Sequence, residues 1–518
     1  MQDISKTRSK KAKMNIGITL AGQFVTAVCG LIVPRLLLSA YGSEAYGATT
    51  SIAQFLGYIM LLEGGIGGVA KAALYKPIAQ NDVLQMSRIV SEVRRYFRII
   101  AYVFTGYVLL LAVFFKSISH IESLDWLTSF LLVGAISISS SAEYFLGIAN
   151  AVFLQANQKT YITNAVSYIT TAMNALATLL LVRMGASLIV VKLASSCVFA
   201  AKPVILQWYV KKNYKLQSLK VHETVLKDKW EGLGQQLASF LHANTDVVVL
   251  TIFADLKYVA VYAVYNMIVT QIQKITSAFA TGMEALFGDM YARNEKAQLD
   301  KTFGMYDTMI SMTSVTLFSV TAVMITPFVL LYSEGIHDAN YDVPLFGFLL
   351  TVAAFFTAVS AVYPAMAIAA GHFRQTRVGA YGEAVVNVVV SLLLVSRYNL
   401  LGVAIGTVAA TAFRAVFYAY YLSKEILHRR LFRWVKRETV NIGTFCAVFI
   451  SGRFVLSQFT LGSYVEWILA ACIVTVIAML LSVSANFIWY RQDCLMLYRR
   501  VRRKKRLCEG NTDNGTDE

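Results

Sequence analysis

Apolar runs of 18 or more residues recur along the whole length of this 518-residue chain. Runs of that length can cross the hydrocarbon core of a bilayer as a helix, whereas apolar runs of about 10 to 14 residues are more typical of buried core helices. Only 15% of the residues are charged and 57% are hydrophobic, while a soluble domain carries about 25% charged residues. The sequence therefore predicts an all-α polytopic membrane protein and excludes a soluble enzyme.

Charged loops divide the apolar runs into about 14 predicted transmembrane helices, which we call spans 1 to 14. We place them at 14–40, 46–72, 98–116, 126–152, 161–182, 186–209, 232–253, 257–282, 305–332, 344–370, 377–396, 400–422, 440–458 and 464–490. The loops between them are short, so none could fold as a separate soluble domain.

Most of the 47 lysine and arginine residues fall in the tails and in the even-numbered loops between these spans. Cytoplasmic loops carry the excess of Lys and Arg in membrane proteins, so both termini are predicted to be cytoplasmic. The formal net charge of +17 is then explained by topology and by contact with membrane lipids. It does not indicate a nucleic-acid partner.

The chain also repeats itself weakly. "ANQKT" at 156–160 returns as "HFRQT" at 372–376, and a "GQ" pair at 22–23 returns at 234–235. This spacing corresponds to six spans, and an even number gives two parallel halves with a substrate site between them. We therefore predict two six-helix lobes around a central cavity. The predicted segments are an N-lobe at 1–209, a linker at 210–231, a C-lobe at 232–430, spans 13 and 14 at 431–490, and a basic then polar cytoplasmic tail at 491–518.

Polar side chains recur three, four or seven residues apart in six spans, as Ser139, Glu143 and Asn150 do in span 4. Each such set shares one face of its helix. Helix–helix hydrogen bonds could satisfy one polar face, but several in both halves favour a shared hydrated lumen. The polar residues predicted to line it are Gln23, Asn150, Asn174, His242, Asn266, Thr270, Gln273 and Asn387.

Ionisable residues also lie inside the predicted spans, where one charge costs roughly 2.5 to 3.5 kcal/mol on insertion scales. The cations are Arg35, Lys71, Lys192, Lys274 and Arg414. The carboxylates are Glu63, Glu143, Asp246 and Glu383. Because Lys and Arg bind phosphate well, the cations favour a substrate that carries phosphate over a cationic drug.

Span 2 contains the glycine-rich segment "LLEGGIGGVAK" at 61–71. In a regular helix Gly57, Gly64, Gly68 and Lys71 would lie on one side. This strip fits close packing of small residues, with Lys71 reaching the cytoplasmic interface. The alternative is a bendable inner half of span 2 whose backbone faces the cavity. Glu63 points away from the strip and needs a partner of its own.

The segment at 30–82 resembles the opening of bacterial polysaccharide flippases of the O-antigen and capsule type. The matching features are "PR" at 34–35, "YGSEAYG" at 41–47 and "LLEGGIGG" at 61–68. Beyond about residue 160 the resemblance continues only in the helix layout and in the short "NQKT" and "FRQT" segments. These flippases belong to the multidrug/oligosaccharidyl-lipid/polysaccharide (MOP) exporter superfamily.

The resemblance implies two six-helix lobes in an inverted V plus two C-terminal helices. It implies a flippase that moves a polyprenyl-pyrophosphate-linked oligosaccharide across the bacterial cytoplasmic membrane by alternating access, for surface polysaccharide biosynthesis. The implied partners are this lipid-linked glycan, membrane lipids and other membrane proteins of polysaccharide assembly. The family has no short catalytic signature, so no catalytic residue is implied.

No metal-ligand spacing occurs in the sequence, and without a Walker A motif direct use of ATP is not expected. We therefore expect no cofactor. Coupling to a Na⁺ or H⁺ gradient through the four carboxylates stays open. Three alternative functions stay open as well: a lipid II-type flippase, a cation-coupled multidrug exporter of the same superfamily, and an integral-membrane glycan polymerase or glycosyltransferase.

Overall fold

The computed structural model describes residues 2–63, 66–119, 121, 124–217, 219, 244–459 and 461–499. These residues are almost entirely helical, with no β-strand among them, which confirms the all-α prediction. Gly64, His242, most of the predicted linker at 210–231 and the tail beyond residue 499 lie outside the described residues.

The chain divides into two compact units. Unit 1 comprises Met1–Val264 and Gly335–Ala339, and unit 2 comprises Tyr265–Glu334 and Asn340–Glu518. The division falls within one long helix, α9, and the predicted linker lies mostly outside the described residues. The predicted lobe boundaries therefore stay predictions.

The helices of unit 1 are α1 (Gln2–Gly57), the 3₁₀ segment Tyr58–Glu63, α2 (Ile66–Gln80), α3 (Val83–Ser119), α4 (Trp126–Ala142), the π-helical segment Glu143–Gly147, α5 (Ile148–Ala156), α6 (Thr160–Arg183), α7 (Leu188–Asn213) and α8 (Asn244–Phe253). Helix α9 (Leu256–Ala292) belongs to both units. Unit 2 continues with α10 (Lys296–Tyr332), α11 (Pro344–Val359), α12 (Val362–Ala369), α13 (Phe373–Tyr398), α14 (Leu400–Tyr421), the π-helical segment Leu422–Ile426, α15 (Phe432–Leu456), α16 (Tyr464–Trp489) and α17 at residues 491–499.

Eleven helical stretches of the described residues are long and apolar enough to cross a membrane, judged by length and composition. The stretch Gly17–Glu63 counts once, although it covers predicted span 1 and most of span 2. The first half of span 7 lies outside the described residues, and α9, which corresponds to span 8, is not among the eleven. The chain is thus a multi-pass membrane protein, and the count of about 14 stays a prediction.

A single glycine separates the first two predicted spans. Gly42 breaks α1 with a φ of 80°, a left-handed conformation that is strained for residues with a side chain. The backbone N–H and the hydroxyl of Ser43 both donate to the Asp338 carboxylate, over 2.6 and 2.7 Å. The segment "YGSEAYG" between predicted spans 1 and 2 therefore contains a kink that is fixed by a carboxylate.

The internal repeat is visible in the turns that follow α5 and α12. Lys159 N donates to Leu154 O over 2.9 Å, and His372 N donates to Ala367 O over 3.0 Å. The preceding residue is left-handed in both turns, with φ values of 58° at Gln158 and 76° at Gly371. The first turn lies within "ANQKT", and the second ends at the first residue of "HFRQT", so the two turns match three residues out of register with the sequence repeat.

Helix packing inside each unit follows the same order. In unit 1, α3 packs on α4, α4 on α7, and α6 on α7; in unit 2, α10 packs on α11, α11 on α14, and α13 on α14. Helices six spans apart thus have corresponding neighbours within their own units. The predicted parallel repeat therefore agrees with the packing, while the predicted central cavity stays a prediction.

The glycine-rich segment of span 2 begins in 3₁₀ geometry. Helix α1 ends at Gly57, the 3₁₀ segment Tyr58–Glu63 follows, and beyond the two glycines that lie outside the described residues α2 comprises Ile66–Gln80. A Cβ added at Gly68 would meet no atom within 4 Å. The interpretation of Gly68 as a close-packing contact is therefore wrong, while the alternative of a bendable inner half of span 2 that faces the cavity stays a prediction.

Gly47, in contrast, packs directly on backbone. A Cβ at Gly47 would overlap the backbone carbonyl of Leu256, which cannot move aside as the end of a flexible side chain can. We expect Gly47→Ala to lower the free energy of unfolding by about 1–3 kcal/mol, measured by chemical denaturation in detergent. Gly68→Ala is the matched control and should be neutral or slightly stabilising. Equal effects of the two substitutions would contradict this contact.

Candidate functional site

Two of the predicted carboxylates lie in one cluster of unit 1, formed by Glu63, Glu143, Tyr144 and Lys202. The Tyr144 hydroxyl donates to Glu63 Oε1 over 2.7 Å. Lys202 Nζ lies 3.5 Å from Glu143 Oε1, and both side chains are about 30% exposed. All four residues belong to candidate membrane spans. The cluster therefore holds one carboxylate beside a tyrosine hydroxyl and a second beside an ammonium group.

A π-helical turn builds this cluster. The segment Glu143–Gly147 is π-helical, and such turns insert one residue into an α-helix, frequently at functional sites. A Cβ at Gly147 would lie 2.9 Å from both Glu143 Cδ and Pro203 Cβ. The absence of a side chain at Gly147 thus makes room for the Glu143 carboxyl group.

Because of this π-helical turn, the polar face predicted for span 4 is wrong beyond Glu143. The inserted residue rotates everything after it by roughly 100° relative to a regular helix. Asn150 therefore does not share a face with Ser139 and Glu143. It is buried, and its Nδ2 donates to Leu146 O over 2.7 Å.

Polar side chains also join the second half of α1 to α8 within unit 1. The hydroxyls of Ser51 and Thr251 lie 2.7 Å apart, and Gln54 Nε2 donates to Asn244 Oδ1. Asp246, the third predicted carboxylate, is 3% exposed and accepts a hydrogen bond from the Tyr262 hydroxyl over 3.0 Å. Asp246 is thus held in a hydrogen-bonded setting between α8 and α9.

The fourth predicted carboxylate, Glu383, pairs with a predicted cation in unit 2. Arg414 NH1 lies 3.1 Å from Glu383 Oε2, with side-chain exposures of 28% for Arg414 and 3% for Glu383. On the same helix pair, Asn387 Nδ2 donates to Thr407 Oγ1 over 3.4 Å. The α13–α14 pair therefore brings together three residues predicted for the site.

The remaining predicted polar residues occur in different settings. Asn174 is buried in α6, and Gln23 is exposed on α1. Three residues are half-buried along one side of α9: Asn266, Thr270 and Gln273. The Thr270 hydroxyl is satisfied locally, since it donates to Asn266 O over 2.8 Å.

The other four predicted cations differ in exposure. Arg35, Lys71 and Lys192 are half-buried, while Lys274 is exposed. Lys274 Nζ donates to the neutral Gln271 Oε1 over 3.0 Å. No carboxylate of the described residues forms an ion pair with Lys71, Lys192 or Lys274.

Sequence reasoning missed a buried charge cluster of unit 2 that is centred on Arg437. Its side chain is 7% exposed and lies 3.3 Å from Asp307 Oδ2 and 3.2 Å from Asp493 Oδ2. It donates to Thr308 Oγ1 over 2.9 Å and stacks 4.2 Å from the centre of the Tyr490 ring. Asp307, an acidic residue inside predicted span 9, was the available signal. Arg437 and Asp493 lie just outside spans 13 and 14, so a search along span faces could not join them.

Solved membrane transporters share this fold. The lipid II flippase MurJ, in an inward closed conformation, matches with a TM-score of 0.69 and 14% identity, over 92% of this chain and 99% of its own. An inward-facing multidrug resistance MATE family transporter of the MOP superfamily has a TM-score of 0.62 and 13% identity, over 76% and 92% of the two chains. A eukaryotic MATE transporter has a TM-score of 0.54 and 12% identity, over 80% and 96%.

No protein-family model matches the chain, and no curated protein sequence matches it. At identities of 12% to 14% the likeness shows the fold. The chain therefore has the fold of MOP-superfamily transporters, as predicted at that level. The narrower assignment to the polysaccharide branch stays a prediction.

Proposed function

We propose that this chain, with its MOP-superfamily fold, is a flippase that moves a polyprenyl-pyrophosphate-linked oligosaccharide across the cytoplasmic membrane by alternating access. The observation that carries the proposal is the likeness to a solved lipid flippase, which extends over 92% of this chain. The MATE transporter structures cover between 76% and 82% of it. A lipid-linked substrate is thus favoured over a drug.

The charges inside the membrane-spanning part support a substrate that carries phosphate. A flippase must hold a charged pyrophosphate while it crosses about 30 Å of hydrocarbon. Lys71, Lys192 and Lys274 form no ion pair with a described carboxylate, so we assign phosphate binding to these three first. Arg414 is already paired with Glu383. We therefore assign it a structural role in addition to its predicted role in substrate binding.

Lipid II is the second candidate substrate, because the flippase structure with the TM-score of 0.69 is that of a lipid II flippase. A host cell without this protein distinguishes the two candidates. Loss of surface polysaccharide, with its lipid-linked repeat unit accumulating on the cytoplasmic side, would support the first. Accumulation of lipid II would support the second, and unchanged levels of both lipids would overturn the proposal.

We propose that the Glu63–Glu143 cluster couples transport to a proton or sodium gradient. Glu63→Gln removes one exchangeable charge but keeps the hydrogen bond from Tyr144 possible. We expect this variant to lose the stimulation of transport by an imposed ion gradient, while it binds substrate with unchanged affinity. The measurement is transport into proteoliposomes with and without the gradient.

The control for this prediction is Glu295→Gln, which neutralises an exposed carboxylate before α10. It should respond to the gradient as the unmodified chain does. A Glu63→Gln variant that still responds fully to both gradients would remove Glu63 from the coupling site.

A further inference from the structure

A basic pocket opens at one end of unit 2. It has a volume of about 720 Å³ and is lined by the first turns of α10 and α15 and by α17. Sites for small ligands typically measure about 300–1,000 Å³. None of the predicted site residues lines this pocket. The distribution of Lys and Arg predicts that this end of the helices is cytoplasmic.

The charges of the pocket do not balance. Its cationic side chains are Lys301, Arg429, Arg433, Lys436, Arg437 and Arg499, and its carboxylates are Asp300, Asp307 and Asp493. All three carboxylates are engaged by only two of the arginines, Arg437 and Arg433. No carboxylate of the described residues forms an ion pair with any of the other four cations. The pocket therefore carries an excess of positive charge.

Aromatic rings, and not carboxylates, hold two of these four cations. The Arg429 guanidinium lies 4.7 Å from the centre of the Phe303 ring, and its NH2 donates to the Tyr363 hydroxyl over 3.2 Å. Its Nε is buried and has no acceptor among the described residues. Lys436 Nζ lies 5.0 Å from the centre of the Trp489 ring. Contacts with ring faces orient a cation and leave its N–H groups for an anion.

We propose that this pocket binds a phosphate group at the cytoplasmic membrane surface. Arg and Lys recognise phosphate through charge-assisted hydrogen bonds, and basic pockets between transmembrane helices on the cytoplasmic side bind phospholipid head groups. Two sources present the same chemistry, an anionic phospholipid and a soluble phosphate. The sequence after Arg499 continues as "RVRRKKR", which adds to the attraction of an anionic surface.

The test uses the purified full chain in nanodiscs of phosphatidylcholine, with or without phosphatidylglycerol. Native mass spectrometry measures retained phosphatidylglycerol, and equilibrium dialysis measures binding of radiolabelled inorganic phosphate. The variant Lys301→Gln/Arg429→Gln/Lys436→Gln removes three cations that pair with no described carboxylate. Each Lys or Arg near an anionic surface contributes about a fivefold change in affinity, so we expect about a hundredfold loss.

The matched control is Lys76→Gln/Arg88→Gln/Lys211→Gln, which makes the same charge change at exposed positions of unit 1. A second variant, Lys301→Gln/Lys436→Gln, removes no hydrogen bond among the described residues. It tests the pocket in case the triple variant fails to fold. If the pocket variants lose phosphatidylglycerol and the control variant does not, the phospholipid source is supported. If the pocket variants lose binding of inorganic phosphate but keep phosphatidylglycerol, the soluble source is supported. Binding by the pocket variants equal to that of the unmodified chain, or an equal loss in the control, would overturn the proposal.

Discussion

Arg437→Leu is expected to lower the free energy of unfolding by about 3–5 kcal/mol, because it leaves two carboxylates of a buried cluster without their cation. The side chain of Asp307 is 3% exposed and that of Asp493 is 22% exposed. Water can therefore solvate the unpaired charge of Asp307 less well than that of Asp493. The measurement is chemical denaturation of the purified protein in detergent. Arg437→Lys should also be destabilising, since one ammonium group cannot reproduce the fork that spans both carboxylates.

Arg433→Leu provides the matched control for this prediction. Arg433 lies 3.6 Å from Asp300, but the two side chains are 66% and 42% exposed. Exposed pairs contribute about 0–1 kcal/mol, so this variant should unfold almost as the unmodified chain does. The double variant Arg437→Leu/Asp307→Leu should recover part of the loss, because no buried charge at Asp307 is left over. Similar destabilisation by Arg433→Leu and Arg437→Leu would contradict a structural role for the buried cluster.

Lys274→Glu is expected to slow transport of the lipid-linked oligosaccharide by about tenfold or more, because it reverses a charge that we propose contacts the substrate phosphate, and a loss of about 1.4 kcal/mol is tenfold. Lys274 is exposed, and its described hydrogen bond goes to the neutral Gln271. The substitution should therefore leave expression and unfolding almost unchanged. Lys274→Arg, which keeps the charge, should retain most of the transport rate measured in proteoliposomes.

Two further substitutions separate this effect from general charge and folding effects. Lys296→Glu makes the same charge change at the exposed first residue of α10 and should transport normally. Arg414→Glu would place a second carboxylate beside Glu383, which is 2% exposed, so it should reduce the amount of folded protein. Normal transport by a well-folded Lys274→Glu variant would remove Lys274 from the proposed phosphate site.

The sequence was sufficient for what depends on local composition and periodicity. Long apolar runs predicted the helices, and the "ANQKT" and "HFRQT" segments predicted an internal repeat, which agrees with the similar turns after α5 and α12. The sequence could not predict which residues pair with the buried charges. Glu63 and Tyr144 are 81 residues apart, and Arg437 and Asp493 are 56 apart. Only the packing of distant helices brings such pairs together.

Helix phase was the other limit. The predicted polar faces assume 3.6 residues per turn throughout, but the π-helical segment Glu143–Gly147 inserts a residue into span 4. Nothing in the apolar pattern of 126–152 signals this insertion, because the segment is hydrophobic on most sides. Both Glu143 and Asn150 lie in a candidate membrane span, as predicted, but the inserted residue separates the helix faces that they were predicted to share.

Movement of a lipid-linked oligosaccharide between leaflets is the most direct measurement. The purified chain would be reconstituted into proteoliposomes with a fluorescent polyprenyl-pyrophosphate-linked oligosaccharide, and a membrane-impermeant reductant would quench the label on the outer leaflet only. We predict that the protein exposes the inner pool to the reductant, and that it does so neither for a polyprenol-linked analogue without pyrophosphate nor for a cationic dye. A folded protein that leaves the inner pool protected under proton and sodium gradients, or that transports the dye instead, would contradict the proposed function.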